Sequence, residues 1–175
     1  EPAVVTILSS EPTPTPAPTP TPTSPPTPAP LATPKRYQGT GDDVIKIVKP
    51  GSPSAPVIAY VRGNTESHHF AVWGIDEYGD RTDLLVNAIE PYEGIVALDF
   101  SDGQVTARLG VTATGNWYIE LRPLGSARTA QAPGVAWGKG DEVFLVTGRT
   151  DTVYVTGNST ARHFAVWAYG DTKDL

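Results

Sequence analysis

Two histidines at matching places in the chain are the first candidates for chemistry. His69 opens the segment His69–Trp73, and His163 opens the nearly identical segment His163–Trp167. Imidazole is the commonest metal ligand and general base. Because neighbouring strand residues point to opposite faces, His68 and His69 cannot chelate one metal from a regular strand, and no His-x-His or HExxH spacing occurs. We therefore interpret the histidines as structural groups that hydrogen-bond a turn, with metal binding as the alternative.

A cluster of acidic residues follows the first of these segments. Asp76, Asp80 and Asp83 are close enough in sequence to hold a hard cation such as Ca²⁺. The EF-hand pattern is absent, and Asp and Gly also favour turns through local hydrogen bonds. The sequence favours a solvated turn, with a weak calcium site as the alternative.

Paired acids at Asp42-Asp43 and Asp141-Glu142 invite a glycosidase hypothesis. That chemistry needs two carboxylates at a defined separation, one with a raised pKa, and adjacency in sequence does not provide this. The chain also lacks cysteine, a GxSxG motif and a glycine-rich phosphate loop. We expect a protein without enzymatic activity and without a cofactor.

Aromatic side chains could form a sugar-stacking platform, although aromatics in a β-sandwich more often belong to the core. The residues in question are Trp73, Trp117, Trp137, Trp167, Tyr60, Tyr78, Tyr92 and Tyr118.

The match between the two histidine-led segments extends outwards into a tandem repeat. Gly63-Asn64 corresponds to Gly157-Asn158, and Gly41–Val44 corresponds to Gly140–Val143. The second copy contains only the counterparts of the first few strands, whose edges would be open to pairing. It is either a cropped copy or one completed by strands from another chain, and we name Trp73 and Trp167 as interaction candidates.

Short apolar runs divided by turn residues predict an all-β fold. The predicted strands of the first copy are 44–48, 57–61, 68–75, 83–89, 95–100, 105–112 and 117–121. Alternation of polar and apolar residues in the last two predicts a sheet covered on one side. The strand through Phe70–Trp73 is apolar on both faces, which predicts a central strand covered on both sides. We predict tandem antiparallel β-sandwich modules, Ig-like or jelly-roll-like, with the second copy incomplete.

The domain boundaries follow from composition. We predict an apolar strand at 1–10, a Pro/Thr-rich linker or stalk at 11–36, the first module at 37–124, a linker at 125–136 and a partial second module at 137–175. Proline fixes φ and removes a donor, so the stalk is extended. The sequence favours an unmodified linker, with O-glycosylation of its threonines as the alternative, for example at Thr13, Thr15, Thr19 and Thr21.

The apolar run at the start contains Val4, Val5, Ile7 and Leu8. It is either a frayed terminus or the end of a preceding domain, or else a strand that docks on another subunit.

Charge narrows the possible partners. The net charge of -6 and the pI of about 4.9 argue against nucleic acid and against anionic membrane surfaces. No apolar run approaches the roughly 20 residues that span a bilayer, so we expect no membrane insertion.

The segments Asp83–Asn87, Pro91–Gly94 and Gly115–Leu121 carry a resemblance to known modules. Over Gly41–Leu124 the chain resembles the small β-sandwich domains that bacterial surface proteins and secreted peptidases carry behind Pro/Thr-rich linkers. The resemblance implies an extracellular or cell-surface location and no catalytic residues. We expect a structural or adhesive protein that associates with itself or with other surface proteins, and one form of this is a filament subunit joined by β-strand addition. The alternative is a carbohydrate-binding module of a larger secreted enzyme, with polysaccharide as its partner.

Overall fold

The computed structural model describes residues 31–66, 68–148, 152–157 and 164–170. These residues form an all-β structure whose one helical element is a 3₁₀ turn at Leu124–Ser126. The strands are β1 Lys35–Thr40, β2 Asp43–Lys46, β3 Val57–Gly63, β4 Phe70–Ile75, β5 Arg81–Ala88, β6 Tyr92–Leu98, β7 Arg108–Thr112, β8 Asn116–Pro123, β9 Arg128–Gln131 and β10 Phe144–Thr147.

The first eight strands form two antiparallel sheets of four strands each. The order is β1-β8-β3-β6 in one sheet and β2-β7-β4-β5 in the other. Within the sheets β1 pairs with β8, β2 with β7, β3 with β6 and β4 with β5. This is the order obtained by rolling up one long antiparallel ribbon, the jelly-roll arrangement of a β-sandwich.

One apolar core lies between the inner faces of the two sheets. Phe70 and Val72 of β4 and Leu109 and Val111 of β7 enter it from one side. The other sheet supplies Val57, Ala59, Val61, Leu98, Trp117, Ile119 and Leu121. Trp117, Ile119 and Leu121 alternate with outward-facing polar residues along β8, which confirms the period-two pattern predicted for this strand.

The edge strand β1 was not predicted, because its residues are nearly all polar. It starts at Lys35, inside the predicted stalk, and pairs with β8 along its whole length. Apolar alternation is weak in an exposed edge strand, so it leaves little signal in the sequence. Strand β7 starts at Arg108 rather than at Val105, because Thr106 instead bonds to the buried Asp99 carboxylate.

Strand β4 is central in its sheet, as predicted, but it is not covered on both sides. Phe70 and Val72 face the core, whereas Trp73 and Ile75 lie on the outer face and are partly exposed. The guanidinium of Arg81 lies over the Trp73 ring, 4.2 Å from its centroid. This contact and the neighbouring strands cover the outer apolar residues in part, and within the described residues the predicted second layer is not present.

Beyond the first eight strands the structure differs from the predicted partial sandwich. The predicted linker contains β9, which pairs in parallel with β10. Residues 152–157 and 164–170, predicted to include two strands, are described without strand structure and are exposed. The predicted N-terminal strand, the stalk threonines and His163 lie outside the described residues.

Candidate functional site

The outer face of sheet β2-β7-β4-β5, which we call the open face, carries an apolar row that crosses all four strands. Val44 pairs with Gly110, Gly110 with Trp73, and Trp73 with Leu84. Val44 and Leu84 are 61% and 39% exposed, so the row is accessible at both ends. At about 4.8 Å between neighbouring strands, the row is about 14 Å long.

A second row on the open face is cationic. Lys46 pairs with Arg108, Arg108 with Ile75, and Ile75 with Arg81. In the part of the chain that the structure describes, none of these three cations takes part in a salt bridge with a carboxylate. Arg108 is held in place because its Nη1 donates to the backbone carbonyl oxygens of Asp76 and Glu77, at 3.0 and 3.3 Å.

The third row is polar and lies on the other side of the apolar row. Thr112, Ala71 and Asn87 face each other across β7, β4 and β5. The exposed carboxylates of Asp42 and Asp43 lie beside Thr112, on the same side of the open face as this polar row. The open face therefore runs from carboxylates, through apolar side chains, to cations.

A shallow depression in the open face forms around Gly110. Its lining includes Val44, Trp73, Ile75 and Arg81. Since glycine has no side chain, the floor between Val44 and Trp73 stays low; a Cβ at Gly110 would lie 3.0 Å from Ile75 Cδ1. The arrangement offers an apolar floor with cations along one side and carboxylates on the other, which is suited to binding a ligand with both apolar and polar groups.

The outer face of the other sheet, which we call the paired face, differs because its polar groups bond to one another. Glu120 accepts hydrogen bonds from Arg36 Nε, Arg122 Nε and the Tyr118 hydroxyl, at 2.8, 2.8 and 2.6 Å. The Tyr60 hydroxyl donates to Glu93 at 2.7 Å. Most of the polar side chains on the paired face therefore have hydrogen-bond partners within the chain.

The same contacts set the charge of Glu120. The Tyr118 hydroxyl and then the Arg36 guanidinium stabilise the carboxylate and lower the pKa of Glu120 to about 2, although burial opposes the shift. Glu120 is therefore an anion at neutral pH, balanced by Arg36 and Arg122.

The histidines lie at the end of the open face. His69 Nε2 is 3.1 Å from Asn87 Oδ1, and the backbone N–H of His68 donates to Asn64 Oδ1 in the preceding turn. Both residues border a second shallow depression, together with Asp42 and Thr112. The turn is thus bonded by the backbone of His68, whereas the imidazole of His69 contacts a side chain of strand β5 and not the turn that we predicted.

The predicted calcium residues form the turn between β4 and β5 and the start of β5. Asp76 Oδ1 accepts the backbone N–H groups of Tyr78 and Asp80, at 2.9 and 2.8 Å, while Asp83 of β5 pairs with Gly74 of β4. This bonding is that of a turn closed by its own aspartate. Over the described residues, no group of three or more His, Asp or Glu side chains is placed to hold a metal ion.

The paired acids of the first copy have turn contacts as well. Asp42 Oδ1 accepts the N–H of Ala113, and Asp43 Oδ1 accepts that of Val44. In the second copy Asp141 contacts Tyr92 and Glu142 contacts Arg128. The structure thus places the four acids in separate contacts rather than as facing pairs.

The aromatic residues divide between core and surface. Trp117 is 3% exposed and donates from Nε1 to the Gly41 carbonyl, whereas Trp137, Trp167 and Tyr78 are 77%, 79% and 84% exposed. Tyr60 and Tyr118 contact each other edge-on across the paired face, at 6.1 Å between centroids. A continuous row of aromatics is not present on either outer face of the described sandwich.

Sequence reasoning missed most of the open face. Val44, Lys46, Arg81, Arg108 and Gly110 were not identified as site residues. The alternation of Arg108, Gly110 and Thr112 with the buried Leu109 and Val111 was a usable signal, since it assigns these residues to the outer face.

Comparisons with known proteins give no family: no family model, no curated protein and no solved structure matches the chain. Among the described residues, no helix is long and apolar enough to cross a membrane.

Proposed function

We propose that this chain is a non-enzymatic structural or adhesive part of an extracellular or cell-surface protein, built from tandem β-sandwich modules behind a Pro/Thr-rich stalk. The proposal rests on the contacts between the first residues of the second copy and the first copy. It also draws on the stalk-like composition of residues 11–36.

The observation that carries the proposal is the contact between Asp141 and the edge strand β6. Ile95 donates its backbone N–H to the Asp141 carbonyl at 2.8 Å, and the Tyr92 hydroxyl donates to Asp141 Oδ2 at 2.7 Å. Strand β6 is the outer strand of its sheet, so these bonds use an edge that would otherwise face solvent. Successive copies that dock on one another's edges are suited to a structural role.

Matching local geometry supports the reading of the second segment as a repeat. Gly41 and Gly140, at corresponding positions, have φ values of 71° and 73°. Gly63 faces the ring of Phe70, and its counterpart Gly157 faces the ring of Phe164. The Tyr169 ring also contacts Phe100 of the first copy, with centroids 5.0 Å apart.

Assembly between subunits would extend the same edge pairing. In this proposal the apolar run at 1–10 adds as a strand to a neighbouring subunit, and the chain is a filament subunit. Exposed apolar residues of the second copy, such as Phe164 and Trp167, at 53% and 79%, are available for such contacts.

Light scattering and negative-stain microscopy of the 175-residue chain test this assembly. We expect polymers that disappear when residues 1–10 are deleted. Replacing Val4, Val5, Ile7 and Leu8 with serine keeps the length and should have the same effect, whereas serine at the stalk threonines Thr13 and Thr15 should have none. A monomer for the unaltered chain would refute self-assembly.

The open face favours a second candidate function, that of a carbohydrate-binding module. Its partly exposed Trp73 and the apolar row around it are the features that favour it. Titration with polysaccharides, followed by tryptophan fluorescence, would test this role.

A further inference from the structure

We infer that the open face binds an acidic polysaccharide, a glycan whose sugar units carry carboxylates. This inference does not depend on the assembly proposed above; it specifies the ligand class of the adhesive or carbohydrate-binding role. It is drawn from the three in-register rows of the face and from the contrast with the paired face.

The cations provide the first step. Lys46, Arg81 and Arg108 line up along one side of the apolar row, and within the described residues none is neutralised by a salt bridge. On the paired face, by contrast, Arg36 and Arg122 both bind Glu120, and only Arg62 among its cations lies outside the salt bridges of the described residues. In a chain of net charge -6, cations kept apart from carboxylates on one sheet face are complementary to an anionic ligand.

The apolar row provides the second step. A sugar ring has an apolar face of C–H groups, which packs on flat apolar surface. Gly110 keeps the floor low between Val44 and Trp73, and the Arg81 guanidinium, stacked over the Trp73 ring, is already ordered at the edge of that floor. The roughly 14 Å length of the row accommodates a short stretch of an extended glycan.

The polar side of the open face restricts where an anionic ligand can carry its charge. Asp42 and Asp43, exposed at that side, repel anionic groups of any ligand, so the ligand's carboxylates must lie over the cationic row and its uncharged groups over this side. They can instead accept hydrogen bonds from sugar hydroxyls, as can the side chain of Asn87. A ligand with both carboxylates and many hydroxyls is the one that matches all three rows.

Calorimetric titration of the full 175-residue chain with polygalacturonate tests the inference, with fully methyl-esterified polygalacturonate as the uncharged ligand. We expect binding of polygalacturonate that weakens as salt is raised, and at least about tenfold weaker binding of the ester. Equal binding of the two polymers, or no binding of polygalacturonate, would overturn the inference.

Variants locate the ligand on the protein. Arg81→Gln and Lys46→Gln should each weaken binding by about three- to tenfold, and Arg62→Gln, an exposed arginine of the paired face, should not. Gly110→Ala adds a methyl group to the floor without altering charge and should also weaken binding.

The Gly110→Ala variant separates a shaped site from general attraction between charges. If the charge variants weaken binding while Gly110→Ala does not, at an unchanged melting temperature, the inference of a glycan site on this floor is wrong. Equal weakening by Arg62→Gln would likewise refute it.

Discussion

Lys49 Nζ lies 2.6 Å from Asp99 Oδ2 in the interior of the sandwich, with the two side chains 2% and 0% exposed. The Asp99 carboxylate also accepts the backbone N–H and the hydroxyl of Thr106, at 2.9 and 2.7 Å. Lys49 follows β2 and Asp99 follows β6, so this ion pair joins the ends of strands in different sheets.

Replacing Lys49 with methionine should therefore be strongly destabilising. The substitution leaves the buried Asp99 carboxylate without its cation, and we expect a loss of about 3–5 kcal/mol in the free energy of unfolding. Urea denaturation measures this loss. The control is Lys35→Met on the exposed strand β1, whose free energy of unfolding should stay within about 0.5 kcal/mol of that of the unaltered chain. Similar losses in both variants would contradict the assigned role of the ion pair.

The Tyr92–Asp141 contact can be tested by removing one hydroxyl. Tyr92→Phe abolishes a charge-assisted hydrogen bond to the second copy, so amide exchange in β10 and at Ile95 should become about tenfold faster or more. Tyr78→Phe, at an 84% exposed tyrosine, should leave this exchange unchanged. Unaltered amide exchange in Tyr92→Phe would show that the Tyr92 hydroxyl does not hold the junction, the contact between β6 and the second copy at Asp141.

High pH should weaken the same junction. Burial, followed by the hydrogen bond to Asp141, raises the pKa of Tyr92 above its ordinary value of 10.0. The folded state therefore keeps a proton that the unfolded state loses, and this contribution to stability declines as the pH rises above about 10. In Tyr92→Phe, the free energy of unfolding should no longer show this decline above about pH 10, which urea denaturation at a series of pH values would measure.

Low pH should destabilise the paired face. The pKa of Glu120 is lowered from its ordinary value of 4.5 to about 2, so the carboxylate stabilises the fold above pH 4.5 and this stability is lost as the pH falls towards 2. We expect a contribution of about 1–2 kcal/mol, moderated because Arg36 is largely exposed to solvent. Glu120→Gln should flatten the stability profile between these pH values, and an unchanged slope would contradict the assignment.

Gly63 should not tolerate a side chain, because its Cα faces the ring of Phe70. A Cβ at this position would lie 2.7 Å from Phe70 Cζ, so Gly63→Ala should cost about 1–3 kcal/mol of stability through overpacking. At Gly115 the nearest atom would be 3.7 Å away, and Gly115→Ala is the matched control. Thermal melts of the two variants that coincide would argue against the close contact.

The sequence predicted what is encoded locally. Alternation in β8 identified Trp117, Ile119 and Leu121 as inward-facing, and the short apolar runs between turn residues predicted an all-β fold. The edge strand β1 was missed because an exposed, polar strand lacks that alternation.

The candidate site depended on long-range register, which periodicity does not reveal. Val44, Trp73, Leu84 and Gly110 come from four strands and form one row only through the observed pairing; a shift of one residue would turn Gly110 towards the core. The prediction that β4 is covered on both sides was wrong because of a contact that also depends on strand pairing. Arg81 of the neighbouring strand lies over Trp73, so an apolar residue on the outer face needs no second layer.

Because Asp141 bonds to β6, the boundary of the repeat in the sequence differs from the boundary of the unit that keeps its β6 contacts. A fragment cut after β8 would retain the eight strands but lose the residues that occupy the backbone edge at Ile95. The smallest excised unit that keeps this edge occupied extends past residue 141, into the copy that follows. Excision at the sequence repeat would therefore release a sandwich with an adhesive edge, prone to pair with itself.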